Sequence, residues 1–259
     1  MAEQDQLIFG IHAIKEALSA GKEIDRVLVR RGSGSDLLRQ LTGELRGLGV
    51  PVQQVPEEKL NRVTRKNHQG VIAWLSQISY CDITSVLPSV FELGQDPLVL
   101  VLDGITDVRN FGAIARSAEC AGAHAIVIPA GGNAAINADA IKASAGALLR
   151  IPVCRHRDLA AILRFLRECG LMLLAATEKA ETSVYRTVMT GPVAIILGSE
   201  ETGVSAPLLK EADKRIAIPM RGAISSLNVS VAAGILLFEV VRQRDPGSDQ
   251  RKLAAETLL

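Results

Sequence analysis

The chain is poor in most of the features that announce a function. Aromatic residues make up 3% of its 259 residues, with one Trp, two Tyr and five Phe. Base stacking on aromatic platforms is therefore limited, and Trp74 reads as core. The four cysteines, Cys81, Cys120, Cys154 and Cys169, stand far apart with no C-x-x-C spacing. That excludes a disulfide scaffold, speaks against zinc ligation, and fits free or buried thiols in a reducing cytosol. The four histidines, His12, His68, His124 and His156, are equally scattered, so no metal is expected. There is no G-x-G-x-x-G, Walker loop, H-E-x-x-H or G-x-S-x-G. Charge of one sign is lacking too: 29 basic and 28 acidic residues leave a net +1, so no global field advertises a polyanionic partner. The most apolar stretch, Leu227 to Val241, contains Asn228, Ser230 and Glu239 and is too short to span a bilayer. The opening MAEQDQLIFGIHAIKEAL is acidic and mixed, unlike a signal peptide. The expectation is a cytoplasmic protein with no membrane partner. What remains is 48% hydrophobic and 22% charged, an ordinary globular mixture sufficient for one large domain or two small ones.

Two textures divide the chain. Over residues 10–80, IHAIKEALSAG and DLLRQLTGELRGLG carry helical periodicity, while IDRVLVRR, PVQQVP and GVIAWLSQI read as strands. Gly21, Gly49 and Gly70 fall where elements should end. This predicts a small α/β domain over 1–80. Residues 81–97 have lower regularity, carry Pro88 and Pro97, and read as a linker. From Leu98 short, nearly continuous apolar runs appear (LVLVLD, AIVIP, LMLLAA, VAIIL, IAIP), separated by helical patterns. Buried runs alternating with helices predict a parallel sheet covered on both faces over 98–245, with ligand loops at the strand ends. A final helix is expected from about Ser226 to Arg244, followed by a polar tail over 246–259.

Three loops are richer in polar and glycine residues than packing requires. The first runs from Asp103 to Arg116 and holds Asn110 where a helix should start. Asn110 reads equally as a cap, and Arg116 as a surface charge. The second is Leu197-Gly-Ser-Glu-Glu-Thr-Gly203; glycines bracketing Ser199 and Glu200 let backbone amides face a ligand, and also suit a plain helix start. The third, Ile218 to Ser230, places Ser225, Ser226 and Asn228 at the start of an apolar helix, where they can cap it or hold a phosphate or ribose.

Taken in order, D-x-x-x-x-x-x-N-x-G-x-x-x-R, L-G-S-E-x-x-G and I-P-M-x-G-x-x-x-S-L-N-V-S closely resemble the three motifs of the SpoU (TrmH-type) ribose 2'-O-methyltransferases. The resemblance covers roughly residues 98–244. The opening FGIHAIKEAL and the closing NHQGVIAWL, Asn67 to Leu75, are similar to the substrate-binding domain of that family's large-subunit rRNA branch. The resemblance implies an α/β catalytic domain of the SPOUT type whose C-terminal segment is threaded into a trefoil knot, preceded by a small L30e-like RNA-binding domain. It implies S-adenosylmethionine bound largely through main chain, with Gly198, Ile218 and Leu227 as contacts and Met220 nearby. It also implies a homodimer that completes the site, and methyl transfer to the 2'-hydroxyl of a guanosine in 23S rRNA, in the peptidyl-transferase region. The motif positions assign catalysis to Arg116, with Asn110, Glu200, Ser226 and Asn228 around it.

A guanidinium stays charged at working pH and makes a poor base. Arg116 is therefore read as a clamp on phosphate and ribose that lowers the hydroxyl's pKa electrostatically. Asn110 and Asn228 would orient Arg116 or the substrate, Glu200 would fix a partner arginine, and Ser226 would bind phosphate or ribose. RNA recognition is expected from Lys59, Arg62, Arg65, Lys66 and His68, since no acid occurs from Lys59 through Cys81. The same cluster also reads as a solvated helix face. Left open are the same chemistry on tRNA or another rRNA site, including an antibiotic-binding one, and a non-catalytic ribosome-assembly factor on this scaffold.

Overall fold

A computed structural model describes residues 7–32 and 35–245; the tail expected over 246–259 lies outside them. The elements in order are β1 (Leu7–Phe9), α1 (Ile11–Ser19), β2 (Ile24–Arg30), α2 (Asp36–Gly47), β3 (Val52–Val55), α3 (Glu57–Val63), β4 (Val71–Leu75), β5 (Tyr80–Cys81) and α4 (Ile83–Glu92). There follow β6 (Leu98–Asp103), α5 (Val108–Cys120), β7 (Ala125–Pro129), α6 (Ala138–Ala143), β8 (Val153–His156), α7 (Leu159–Glu168), β9 (Met172–Ala176) and β10 (Thr182–Ser183). The chain continues through β11 (Val193–Gly198), α8 (Ala206–Glu211), β12 (Lys214–Ala217) and α9 (Val229–Arg244).

The first four strands form a sheet in the order β1-β4-β2-β3, antiparallel except for the β2–β3 pair. Leu38, Leu41 and Leu45 of α2 and Ile14 of α1 bury one face; Leu60 of α3 packs with Leu28, Val55 and Ile72 on the other. The two ends of the domain meet at a defined junction. Gly10, at φ +87°, turns the chain from β1 into α1, and its N–H donates to the Val71 carbonyl. The Gln69 side-chain oxygen then accepts from Ile11 N at 3.0 Å, doing for α1 what a capping residue does. Trp74 is half-buried against the Leu60 cluster, with the Arg26 guanidinium 4.4 Å above its ring.

The larger sheet runs β10-β12-β9-β11-β6-β7-β8-β5, and every pairing in it is parallel. Its strands alternate between two cores, as a two-residue period on a doubly covered sheet requires. Leu98, Leu100, Ile126, Ile195 and Leu174 face α5 and α9 with Phe111, Ile114, Leu236 and Leu237. Val99, Val101, Val127, Ile196 and Leu173 face α4 and α7 with Leu87, Leu163 and Leu166. Gly112 lets α5 and α6 touch: a Cβ there would lie 2.5 Å from the Ala143 methyl and 2.8 Å from the Ala140 carbonyl oxygen. At the far end of α9, Arg244 donates to the carbonyls of Asp96, Pro97 and Gly191, tying the helix to the strands' amino ends.

Residues 81–97 are not the linker the sequence suggests. Tyr80 and Cys81 form the edge strand beside β8, and α4 occupies most of the rest. Its N-cap, Asp82, accepts from Thr84 N; Pro88 sits inside the helix, and Ile83, Leu87 and Val90 are buried. A proline in a ten-residue helix masks the periodicity, because it signals a break that the apolar contacts override. Leu87→Ala should therefore cost about 2–5 kcal/mol, the usual range for emptying a core position. Urea unfolding measures this; a linker residue would leave the unfolding free energy within about 0.5 kcal/mol.

Candidate active site

Asp103 and Gly198 are register partners at the carboxyl ends of β6 and β11, so the first two motif loops leave the sheet side by side. The β11 exit is tight. A Cβ on Gly198 would lie 1.9 Å from the carbonyl carbon of Gly203 and 2.1 Å from Val204 N, so only glycine allows the loop to fold back this closely. Ser199 and Gly203 form a bridge across that loop, and the Ser199 hydroxyl bonds Thr202. Asp103 Oδ2 accepts from Ser205 N at 2.7 Å, which joins the two loops directly.

The third loop arrives at the same point. Glu200 Oε1 accepts from Asn110 Nδ2 at 3.1 Å, from Asn228 Nδ2 at 2.7 Å and from Val229 N at 3.2 Å. Asn228 Nδ2 also donates to Asn110 Oδ1 at 3.0 Å, and Asn228 Oδ1 accepts from Ser230 N, capping α9. One carboxylate thus binds two helix starts separated by 118 residues. The anion also sits at the positive end of α9. Among the expected catalytic residues, the fold brings together Asn110, Glu200 and Asn228.

Arg116 and Ser226 stay outside this network. Both are exposed, and neither side chain hydrogen-bonds to a described residue. Six residues separate Asn110 from Arg116, which at about 100° per residue turns Arg116 some 240° around α5. The two cap assignments also shift. Asp107, not Asn110, caps α5, accepting from Arg109 N and Asn110 N at 2.8 Å each. Helix α9 begins at Val229, so Ser225 and Ser226 lie in the loop before it.

The segment expected to hold a nucleoside-like cofactor has open main chain. Residues 218–228 have no regular structure, and among the described residues Met220 to Leu227 make no hydrogen bond. Their amides and carbonyls are available to a ligand, beside an apolar wall to which half-buried Ile218 and Leu227 contribute. Met220 is 37% exposed and Ile224 76%. Gly198 ends β11, two strands from Ile218, which directly follows β12. This fits a cofactor gripped by backbone rather than by a charged fingerprint. Among the described residues no group of three or more His, Cys, Asp or Glu side chains could hold a metal.

On the N-terminal domain Lys59, Arg62, Arg65 and Lys66 are exposed around α3, with the Lys66 ammonium 5.8 Å from the Phe9 ring centre. His68 departs from the expectation. It is buried, its Nδ1 accepts from Gly70 N at 3.0 Å, and its Nε2 pairs with Asn61 Oδ1. Both ring nitrogens are committed to shaping the Asn67–Gly70 turn, so His68 is structural. Sequence reading missed Asp107, Ser230 and the Asp103–Ser205 contact, since a cap three residues upstream of a conspicuous Asn is easily passed over.

Comparison with known proteins identifies the family. Residues 97–238 match the model of the SpoU rRNA Methylase family, and residues 7–81 match RNA 2'-O ribose methyltransferase substrate binding. The chain is 37% identical over 241 residues to the 23S rRNA (guanosine-2'-O-)-methyltransferase RlmB of Yersinia pestis, covering 92% of this chain and 98% of the relative. It is 36% identical to RlmB of Escherichia coli K12, with 92% and 99% covered. Among solved structures, the SpoU methyltransferase AviRb of Streptomyces viridochromogenes with AdoMet is similar, at TM-score 0.58 and 26% identity, covering 92% of this chain and 90% of that one.

Because the donors around Glu200 can turn to water, Glu200→Ala should lower stability by only about 1 kcal/mol. It should nonetheless raise amide hydrogen exchange at Val229 and Ser230. Unchanged exchange there would mean that the carboxylate does not hold the start of α9.

Proposed function

The chain belongs to the SpoU rRNA methylase family, and from that premise we propose that it moves a methyl group from S-adenosylmethionine to the ribose 2'-hydroxyl of a guanosine in 23S rRNA, in the peptidyl-transferase region of the large subunit. The observation that carries this is the convergence of Asn110, Glu200 and Asn228 on one hydrogen-bonded cluster. Its support in the substrate is the naming of relatives that match over 98% or more of their length. Work on rRNA puts the protein in the cytoplasm.

S-adenosylmethionine supplies an electrophilic methyl group on a sulfonium. Ile218, Met220 and Leu227 would hold it through the open main chain of their loop, with Gly198 at the end of β11 as a further contact. The protein's task is then alignment and the management of one proton. A ribose hydroxyl is a weak nucleophile until its proton is loosened, and a cation beside it favours the alkoxide. Arg116 does this as a planar clamp on phosphate and ribose, with Ser226 as a second contact. Glu200 fixes Asn110 and Asn228 so that their amides present a fixed edge to the substrate.

We read residues 218–228 as the part of the chain threaded into the family's trefoil knot; the tight crossing at Gly198–Gly203 and the tether from Asn228 to Glu200 suit that path. We also read the protein as a homodimer. Val231 and Phe238, half-exposed and seven residues apart on one face of α9, offer an apolar seam. Arg116, which makes no hydrogen bond to the cluster of its own chain, then serves a site completed across that seam.

Labelled methyl transfer to transcripts of 23S rRNA, small-subunit rRNA and tRNA tests the assignment. The 23S product should show one missing band at a guanosine in an alkaline ladder, because a methylated 2'-oxygen cannot attack the linkage. An unbroken ladder with label on a base, or label only in tRNA, would overturn it. Arg116→Ala should lower transfer by about 100–1,000-fold, the usual cost of losing an electrostatic stabiliser, with donor affinity nearly intact. Arg116→Lys should recover little, because an ammonium lacks the bidentate geometry. For the seam, Phe238→Glu is expected to yield monomers in sedimentation and to lose transfer with them. A monomer with full activity would refute the shared site.

A further inference from the structure

The two domains meet through a small, specific polar contact. Among the described residues, the hydrogen bonds seen across the boundary are made by two side chains of the catalytic body, Arg155 and Tyr80. Arg155, in the last part of β8, donates from Nη1 to the Asp25 carbonyl at 3.0 Å and from Nη2 to the Ile24 carbonyl at 3.2 Å. Its guanidinium carbon lies over the Tyr80 ring, 3.9 Å from the centroid. The Tyr80 hydroxyl donates to Asp25 Oδ1 at 2.9 Å, closing the cluster.

Each component is shaped for the contact. The register of β2 against β4 is irregular between Ile24 and Arg26, so the ladder is interrupted where Arg155 takes its two carbonyls. Irregularities of this kind re-aim backbone groups and end pairing locally. Tyr80 is presented by β5, a two-residue edge strand paired with β8 at Val153 and Cys154, which sets it next to Arg155. Burial pushes the Asp25 carboxyl up from its ordinary value, against the opposing pull of Tyr80, Arg155 and Arg26. A carboxylate kept half-buried at such a cost indicates a closed contact rather than a surface encounter. The cluster itself forms part of the wall of a cleft of about 560 Å³, with Val52 and Gln53 on one side and the Ala130–Ala135 loop on the other. That loop is tied to the first motif by Ala134 N, which donates to the Ile105 carbonyl.

We propose that Arg155, with Tyr80 and Asp25, is a positioning latch that holds the N-terminal domain in one orientation on the catalytic domain, so that RNA on the basic α3 face is presented to the Asn110–Glu200–Asn228 cluster. The consequence for catalysis rests on the function proposed above; the latch itself does not. Arg155 touches no reacting group. It acts by sparing the enzyme the orientational search of a loosely tethered domain, which otherwise appears as weaker productive binding of a substrate that must engage both domains.

The test uses the full chain and reads two quantities. Small-angle scattering of Arg155→Ala should show a larger radius of gyration and a broader distance distribution than the parent. Arg155→Lys should lie between, since an ammonium cannot span both carbonyls while stacked on the ring. Tyr80→Phe, which keeps the stack and loses one bond, should shift least and guards against a folding defect in the arginine variants. In steady-state transfer, Arg155→Ala should raise KM for rRNA about tenfold, the equivalent of one charge-assisted hydrogen bond, with kcat and donor affinity changed less than about twofold. Unchanged scattering overturns the latch. A changed profile with unchanged KM overturns its positioning role. Were the parent inactive on rRNA, the proposed function would fail while the scattering arm still decided whether the latch exists.

Discussion

One carboxylate oxygen carries more of this architecture than its exposure suggests. Glu200 Oε1 is the common acceptor for Asn110, Asn228 and the first amide of α9. The carboxylate and its donors come from three separate stretches of chain, around residues 110, 200 and 228, so loop closure between them is costly in entropy. The sheet covers that cost by placing all three loops at the carboxyl ends of its strands, with β6 and β11 in register up to Asp103 and Gly198. The carboxylate then selects one arrangement among those the sheet allows. An anion suits the task, because it accepts several N–H donors at once and the start of α9 offers positive potential.

The same geometry explains what the sequence made legible. Continuous apolar runs such as LVLVLD and VAIIL revealed a doubly covered parallel sheet, since only such strands are buried on both faces. The three motif loops stood out because they held more Gly, Asn and Ser than packing needs. Less legible were features whose signal is shared with commoner roles. Asn110 looked like a cap because Asn caps helices well, yet α5 starts three residues earlier and Asp107 caps it, taking the amide of Asn110 itself. Ser225 and Ser226 looked like the start of α9, but the side chain that accepts from the helix is that of Asn228. Pro88 disguised α4 as a linker. His68 sat among four basic residues and was grouped with them, although its ring is consumed by Gly70 and Asn61.

Arg116 illustrates a different limit. Motif spacing ties it to Asn110, but spacing along a helix is also an angle, and six residues put the two on different faces. Among the described residues of one chain its side chain is exposed and makes no hydrogen bond to the cluster. The proposed dimer resolves this by letting a residue on one face of α5 act outward, toward the site of a second copy.

Helix α9 also acts as a ruler. Asn228 fixes one end at the site, while Arg244 fixes the other to the carbonyls of Asp96, Pro97 and Gly191 at the opposite edge of the sheet. The sixteen residues of α9, from Val229 to the anchor Arg244, span about 24 Å at about 1.5 Å each. Both ends are committed, so the helix cannot take up a change in length by fraying. One residue more or fewer would turn one anchor by about 100° relative to the other and pull either Asn228 from Glu200 or Arg244 from its carbonyls. The exposed side chains along α9 are open to exchange in a way that its residue count is not, because that count is set by the length of the strands it runs along.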